Sequence, residues 1–480
     1  MKLALPSVLL FATIVSAQPS DRNTPSFAAG FEQIKKTATK EQLYTLLYDL
    51  PKGGDLHNHF GLSNFAQSWY DAATDLKRTH GNEFYTLTSF RNCPDATSPL
   101  LRFKTIQRST YFKLSECGRS EYEPLEKLAP NVRREWLSAM ILDREGEGRD
   151  EFFEVIIKRL GDLLRDPYLA MDLMSLNLKR YAGQGLRYLE TQASPNFQDQ
   201  DGNPIASERA VQFFRDRLSQ PDVTATGMNV RFLFTILRFA PNAEENLRKA
   251  YDFVDGHRDL WVGINMAGRE DNDKGYALRF LDTFREMRRT HSDIQLSIHA
   301  GEKDSPGHEV RDTLLLGATR IGHGVNLITD PDTMLLMRNG KALVEINLVS
   351  NRLLEYTPDL AKHPFPEYLR TGIPVCLNTD DPGVWNSDIV DDYYLAVTNY
   401  NLSWQELVVL GRNSLTYSFA PQDVKQGMLA SYERAVDMFE KKYGGQDWAA
   451  VLKTVKPSTS GYARQTLGLH LLPAATNTQH

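Results

Sequence analysis

The sequence predicts an α/β fold, a closed (β/α)8 TIM barrel with a subdomain inserted after the first strand. Three observations predict it. Short apolar runs recur eight times with helix-period stretches between them, the pattern of parallel strands joined by crossover helices. Several of these runs stop on a histidine or an aspartate, and such a barrel collects its working side chains at the carboxyl ends of its strands. The gap between the first run and the second is far longer than one helix needs, which calls for an insertion. An open doubly wound sheet is the runner-up, but a phosphate-binding glycine loop is missing.

Taken in chain order, Met1-Lys2, the apolar stretch Leu3 to Val15 and the small residues Val15-Ser16-Ala17 are expected to be a secretory signal over residues 1–17, so that the protein works outside the cell. The stretch is too short for a membrane anchor, and no other segment is long and apolar enough to span a bilayer. Residues 18–50 are expected to form a helical extension and residues 51–457 the barrel. Strands are expected near 54–59, 186–192, 230–237, 261–266, 294–299, 320–323, 342–347 and 373–378. Helical patterns at 208–218, 244–254, 276–289 and 331–339 lie between them. Inside the long gap, residues 89–121 hold Cys93, Cys117, prolines and aromatics with little periodicity, and read as the inserted subdomain. The flanking pieces 63–79 and 134–181 look helical, as does 388–443. Residues 458–480 are polar and read as a flexible tail.

Composition narrows the class of function. Hydrophobic residues make up 41%, enough for a sizeable core. Acidic side chains outnumber basic ones by 61 to 55, and no basic run occurs, which argues against a nucleic-acid partner. Cys93 and Cys117 are expected to form a disulfide, because exposed free thiols are a liability in an oxidising compartment. Cys376, inside Ile373-Pro374-Val375-Cys376-Leu377, reads as a buried free thiol. Asn401-Leu402-Ser403 is a glycosylation sequon.

The chemistry lies at the strand ends. His57 and His59, in Lys52-Gly53-Gly54-Asp55-Leu56-His57-Asn58-His59, leave one face of a strand because side chains repeat every second residue. Such a pair can grip one divalent metal. His299 and Glu302 (His299-Ala300-Gly301-Glu302), His323 (Arg320-Ile321-Gly322-His323-Gly324), and Asp380 with Asp381 (Asn378-Thr379-Asp380-Asp381-Pro382) follow later runs. In the barrel all of them reach one mouth. Three imidazoles and one carboxylate suit a single Zn2+, which lowers the pKa of a bound water enough to supply hydroxide near neutral pH. His323 is the spare histidine that can orient the hydroxide. Glu302, in a closed apolar mouth, can keep a proton and donate it.

Each residue also has an ordinary reading. The histidines could cap strands or sit satisfied in the core, Glu302 could start a helix, and Asp380-Asp381 could make a turn before Pro382. Two adjacent acids behind an apolar strand are costly without a cation, which favours metal. The other histidines (His80, His257, His291, His308, His363, His470 and His480) receive no role, although His308 and Trp385 are candidates for the lining of the mouth. A cysteine-ligated zinc deaminase is excluded because the chain has no Cys-x-x-Cys. A two-metal site bridged by a modified lysine lacks its lysine, since Asn265-Met266-Ala267-Gly268 closes the fourth strand.

These motifs, with Pro51-Lys52-Gly53-Gly54 before the histidine pair, Ser297-Ile298 before His299, and Glu345-Ile346-Asn347-Leu348-Val349-Ser350-Asn351, carry a family likeness. The chain resembles the adenosine deaminase superfamily, and within it the secreted branch, the adenosine deaminase-related growth factors. The resemblance implies a barrel of the metallo-dependent hydrolase type that deaminates adenosine, and 2′-deoxyadenosine, to inosine and ammonia. It implies His57, His59, His299 and Asp380 as zinc ligands. It implies Glu302 as the donor to purine N1, His323 as the residue orienting the hydroxide, Asp381 as the partner of N7, and the Gly268 backbone as the contact to N3. One position departs from the pattern: Gly61 stands where many members carry an aspartate for the ribose 5′-hydroxyl. The secreted branch also carries a long N-terminal dimerisation region, of which this chain has only a short counterpart, so a homodimer is left open. Two other readings stand beside this one, a related amidohydrolase acting on another aminopurine and an extracellular growth-factor-like ligand that uses the barrel as scaffold.

Overall fold

The computed structural model describes residues 25–474 apart from 96, 145, 271–273, 304 and 446. The expected signal segment lies outside the described residues. The strands are β1 (Gly53–His59), β2 (Phe84–Leu87), β3 (Thr105–Gln107), β4 (Tyr122–Pro124), β5 (Leu186–Gln192), β6 (Asn229–Leu237), β7 (Trp261–Ala267), β8 (Gln295–Ala300), β9 (Arg320–His323), β10 (Leu343–Ile346) and β11 (Val375–Leu377). β1 and β5 to β11 pair side by side in chain order, in parallel throughout. The ring closes just beyond β11. There the Asp380 N–H donates to the His57 carbonyl (2.8 Å) and the Asp380 carbonyl accepts from the His59 N–H (2.9 Å). Each of the eight expected strands is present, and the fold is a (β/α)8 barrel.

The strands are short and nearly all apolar because helices cover their outer faces. The helix Ala243–Gly256 is typical: Leu247, Ala250, Tyr251 and Val254 recur at helical spacing and are buried against β6 and β7. Inside the ring the packing is partly ionic. Arg320 lies 2.6 Å from Glu190 and 2.7 Å from Glu345, and all three side chains are at most 1% exposed. The Phe419 ring covers the guanidinium at 3.8 Å. Two helices, Pro25–Thr37 and Lys40–Asp49, precede β1. Among the described residues, no helix is long and apolar enough to cross a membrane.

The insertion is wider than expected. β2, β3 and β4 form a small antiparallel sheet whose outer bounds lie beyond 89–121, with the Cys93–Cys117 disulfide between β2 and β4. Strands of three or four residues are too short to show alternation in sequence. Cys376 is free and buried. Asn401 is exposed, and its side-chain oxygen accepts from Lys35 (2.8 Å).

Residues 458–474 correct the expectation of a flexible tail. Ser460 caps the helix Gly461–Gln465, and its hydroxyl donates to Asp391 (2.6 Å). Thr459 pairs with Ala474, while Tyr462, Ala463 and Leu469 are buried. Apolar residues this sparse leave no periodic signal, yet they suffice to anchor the segment. Leu469→Ala should therefore lower stability by about 2–4 kcal/mol, read as a lower urea midpoint. An unchanged midpoint would mean that the segment is not packed as described.

Candidate active site

The barrel brings the expected side chains together at the carboxyl ends of its strands. His57 and His59 come from β1, His299 from β8 and His323 from β9, and Asp380 follows β11. His57 Nε2 lies 3.1 Å from His299 Nε2 and 3.4 Å from Asp380 Oδ1, while His59 Nε2 lies 3.1 Å from the same oxygen. The ligating atoms of His57, His299, His323 and Asp380 lie within 4.8 Å of one another, as do those of His59, Asp380 and Asp381. Asp380 thus joins two overlapping groups. His323 (φ 67°) and Asp380 (φ 59°) both hold left-handed backbone conformations. Such strain costs on the order of 1–3 kcal/mol per residue, and ring closure onto β1 holds Asp380 in it.

Burial and neighbouring charge split the titratable groups. Burial alone would raise Asp380, but hydrogen bonds with His57 and His59 hold it well below the usual carboxylate range. Burial, and then the charge of Asp380, push Asp381 well above that range. Burial, with Asp380 and Glu270, pushes Glu302 up strongly, so its carboxyl keeps a proton near neutral pH. Burial lowers His323 to about 3. Burial and the other imidazoles push His299 down. Burial also acts to lower His57, yet Asp380 and Glu345 hold it up at about 10. The cluster therefore offers two imidazoles that burial keeps neutral, His299 and His323, beside one carboxylate and two acids pushed toward their protonated form. Two imidazole nitrogens, His57 Nε2 and His59 Nε2, converge on the one Asp380 oxygen, and His57 Nε2 also faces His299 Nε2. Nitrogen and carboxylate oxygen atoms gathered this closely in a buried place fit a borderline divalent ion such as zinc.

Residues around the cluster received no role in the sequence. The His57 Nδ1–H donates to Glu345 (2.8 Å), which also accepts from Ser297 (2.8 Å), an arrangement that orients a metal-binding imidazole. The side-chain amides of Asn347 (3.2 Å) and Asn351 (3.1 Å) both meet His323 Nδ1. With two amide donors there, the ring hydrogen belongs on Nε2. His363 is buried behind Asn351, with Nε2 3.0 Å from its side-chain oxygen. Glu345, Asn347 and Asn351 stood in a motif that had been picked out; His363 had no signal beyond being a histidine.

The cluster opens into a cavity of about 490 Å3. His59, His299, Glu302, His323, Asp380 and Asp381 line its floor, and Phe152, Phe153 and Ile157 of the inserted segment line its rim. Gly268 also lines it, with φ +105° and Phe239 so close that a Cβ would fall 2.5 Å from the ring. At Gly61 a Cβ would fall 2.8 Å from the tip of the Leu164 side chain, so a larger residue there requires that side chain to shift. His308 and Trp385 are not among the lining residues. His308 is exposed beside Asp330, and Trp385 is buried behind Phe152 (4.9 Å between ring centres). A larger cavity, about 720 Å3, opens at the amino ends of β1, β5 and β6 and holds none of these residues.

Comparison with known proteins agrees with this geometry. The N6-methyl-AMP deaminase of Danio rerio is 28% identical over 322 residues, covering 64% of this chain and 89% of that protein. Adenosine deaminase 2-A of Danio rerio is 24% identical over 450 residues, covering 88% of this chain and 84% of that protein. An amidohydrolase from Burkholderia ambifaria, solved with bound Zn, shares the fold with a TM-score of 0.57 at 19% identity, covering 86% of this chain and 94% of that one. The pattern of the adenosine deaminase family matches residues 147–434, well over half of the sequence, and the chain belongs to that family.

Proposed function

We propose that this protein is a zinc-dependent extracellular adenosine deaminase, converting adenosine and 2′-deoxyadenosine to inosine and ammonia. The observation that carries the reading is the buried Glu302 carboxyl, pushed well above the usual carboxylate range, set beside the histidine–aspartate cluster at the floor of one apolar cavity. His57, His59, His299 and Asp380 would hold one Zn2+ per chain, matching the positions that bind it in the family. Zn2+, when bound, supplies a water nucleophile near neutral pH. Glu302 gives its proton to purine N1, which makes C6 electron-poor. His323 presents its Nε2–H to the attacking oxygen and keeps it aimed at C6. Asp381, kept protonated by burial and Asp380, can donate to N7, an acceptor. The Gly268 N–H serves N3. Water adds its oxygen at C6; one of its protons goes to the amino nitrogen and the other restores Glu302, the bond from C6 to that nitrogen breaks, and ammonia leaves.

Charge at the mouth favours a nucleoside over a nucleotide. Lys158 and Arg269 line the cavity, but Lys158 is paired with Glu154 (2.6 Å) and Arg269 with Asp150 (2.6 Å). A 5′-phosphate would have to compete with these carboxylates. The relative that is an N6-methyl-AMP deaminase supports the second reading, a nucleotide substrate. The Cys93–Cys117 disulfide supports an oxidising, extracellular setting.

A panel of adenosine, 2′-deoxyadenosine, AMP and N6-methyl-AMP, followed by ultraviolet absorbance, tests the reading. The nucleosides should be converted, a chelator should stop turnover, and added zinc should restore it. Preference for either nucleotide would reassign the substrate, and conversion of no aminopurine would end the deaminase reading. Glu302→Gln should lower kcat by about 10²- to 10⁴-fold with zinc content unchanged. His59→Ala should lose zinc, whereas His323→Ala should keep it and lose kcat. The opposite pattern of zinc content would exchange the two roles.

A further inference from the structure

Arg238 and Glu270 form a buried ion pair beside Glu302, and beyond the effect of Glu270's charge on Glu302 neither enters the catalytic steps above. We infer that this pair is a positioning device, which places the Glu302 carboxyl against the purine through Glu302's own backbone; the inference rests on the deaminase reading. Arg238 follows β6, Glu270 follows β7 and Glu302 follows β8, so the three residues cap consecutive strands. Arg238 Nη1 lies 2.9 Å from Glu270 Oε1, and both side chains are 3% exposed. Arg238 Nη2 donates to the Met266 carbonyl (3.0 Å) and to the carbonyl of His299. The Arg238 N–H donates to the Ala267 carbonyl (3.0 Å). The second oxygen of Glu270 accepts the Glu302 N–H (2.9 Å). The strap therefore begins on β6, crosses the end of β7, and finishes on the backbone of the two β8-end residues that face the substrate.

Stability alone is a poor account of such a pair. Burying two charges costs as much solvation as their attraction returns, and apolar residues of similar size often do as well. What an apolar pair cannot supply is a fixed acceptor for the Glu302 N–H and a planar fork with one nitrogen on Glu270 and the other on two carbonyls of neighbouring strands. Glu302's carboxyl has little else to hold it. Its nearest ion-pair contact, His323 Nε2, is 3.6 Å away, beyond hydrogen-bond reach. An error on the order of 1 Å in the placement of a catalytic group costs about 100-fold in rate.

The zinc-loaded full-length protein, assayed with adenosine, tests this through a double-mutant cycle. Glu270→Gln should lower kcat by about 10- to 100-fold, with KM within about twofold and zinc content unchanged. In the Glu302→Gln background the same substitution should change the residual kcat by about twofold or less, because the group it positions is gone. Arg238→Lys keeps the charge and loses the fork, and should fall between Glu270→Gln and wild type. If Glu270→Gln does not fold, Arg238→Lys carries the same cycle. Full, additive loss in the Glu302→Gln background would overturn the inference, as would a loss confined to KM or accompanied by loss of zinc. A wild-type protein that converts no aminopurine refutes the deaminase reading. An active wild type with an unimpaired Glu270→Gln refutes only the positioning role.

Discussion

A single guanidinium inside the barrel organises everything above it. Arg320 is enclosed by Glu190 and Glu345, one cation between two carboxylates, with no water-exposed side to spread the charge. The surplus negative charge does not stay idle. Glu345 turns an oxygen to His57 Nδ1 (2.8 Å), so that Nε2 of the same ring is left for the centre of the mouth. Glu190 accepts the Tyr188 hydroxyl (2.5 Å) and also the Phe419 N–H, which ties in the chain behind the ring. Removing one member of such a network strands a buried charge, at a cost of about 3–5 kcal/mol. The same layer thus connects β1, β5, β8, β9 and β10, and it orients the first histidine of the site.

Above that layer the site separates like groups by environment. Asp380 and Asp381 are neighbours in sequence, yet the imidazoles beside Asp380 hold it well below the usual carboxylate range, while burial and then the Asp380 charge push Asp381 well above it. Titratable pairs driven apart in this way mark the division of acid and base labour. Glu302 falls on the protonated side for the same reason. His323 is fixed differently, by two amides on Nδ1 rather than by a charge, and so serves as a neutral donor.

The barrel was legible because strands buried on both faces leave continuous apolar runs, and the main site residues were legible because each ends such a run. The supporting residues were harder to read. Glu190, Arg320 and Glu345 stand inside the apolar runs themselves, and a charge there signals a buried ionic layer only once the ring is known to close. Arg238 and Glu270 sit just past strand ends, as the catalytic candidates do. Their role depends on which strands are neighbours, and a single sequence does not display adjacency. The insertion resisted bounding because its strands are too short to alternate. The C-terminal segment resisted because its few buried residues are too sparse.

The stretch after the inserted sheet also packs beside Gly61. Leu164 fills the space beside Gly61, and the segment before it roofs the cavity. That roof contains a widened helical turn over Phe152–Ile156, between Gly148–Glu151 and Ile157–Leu160. An expanded turn shifts the helical face, which lets Phe152, Phe153 and Glu154 all line the cavity together with Ile157 and Lys158. The roof is anchored to the catalytic floor by the short helix Pro382–Trp385, which directly follows Asp381. Trp385 packs on Phe152, and the Val384 carbonyl accepts the Leu142 N–H (3.0 Å). The turn that holds Asp380 and Asp381 is thus tied directly, through one hydrogen bond and one ring contact, to the segment that roofs the cavity.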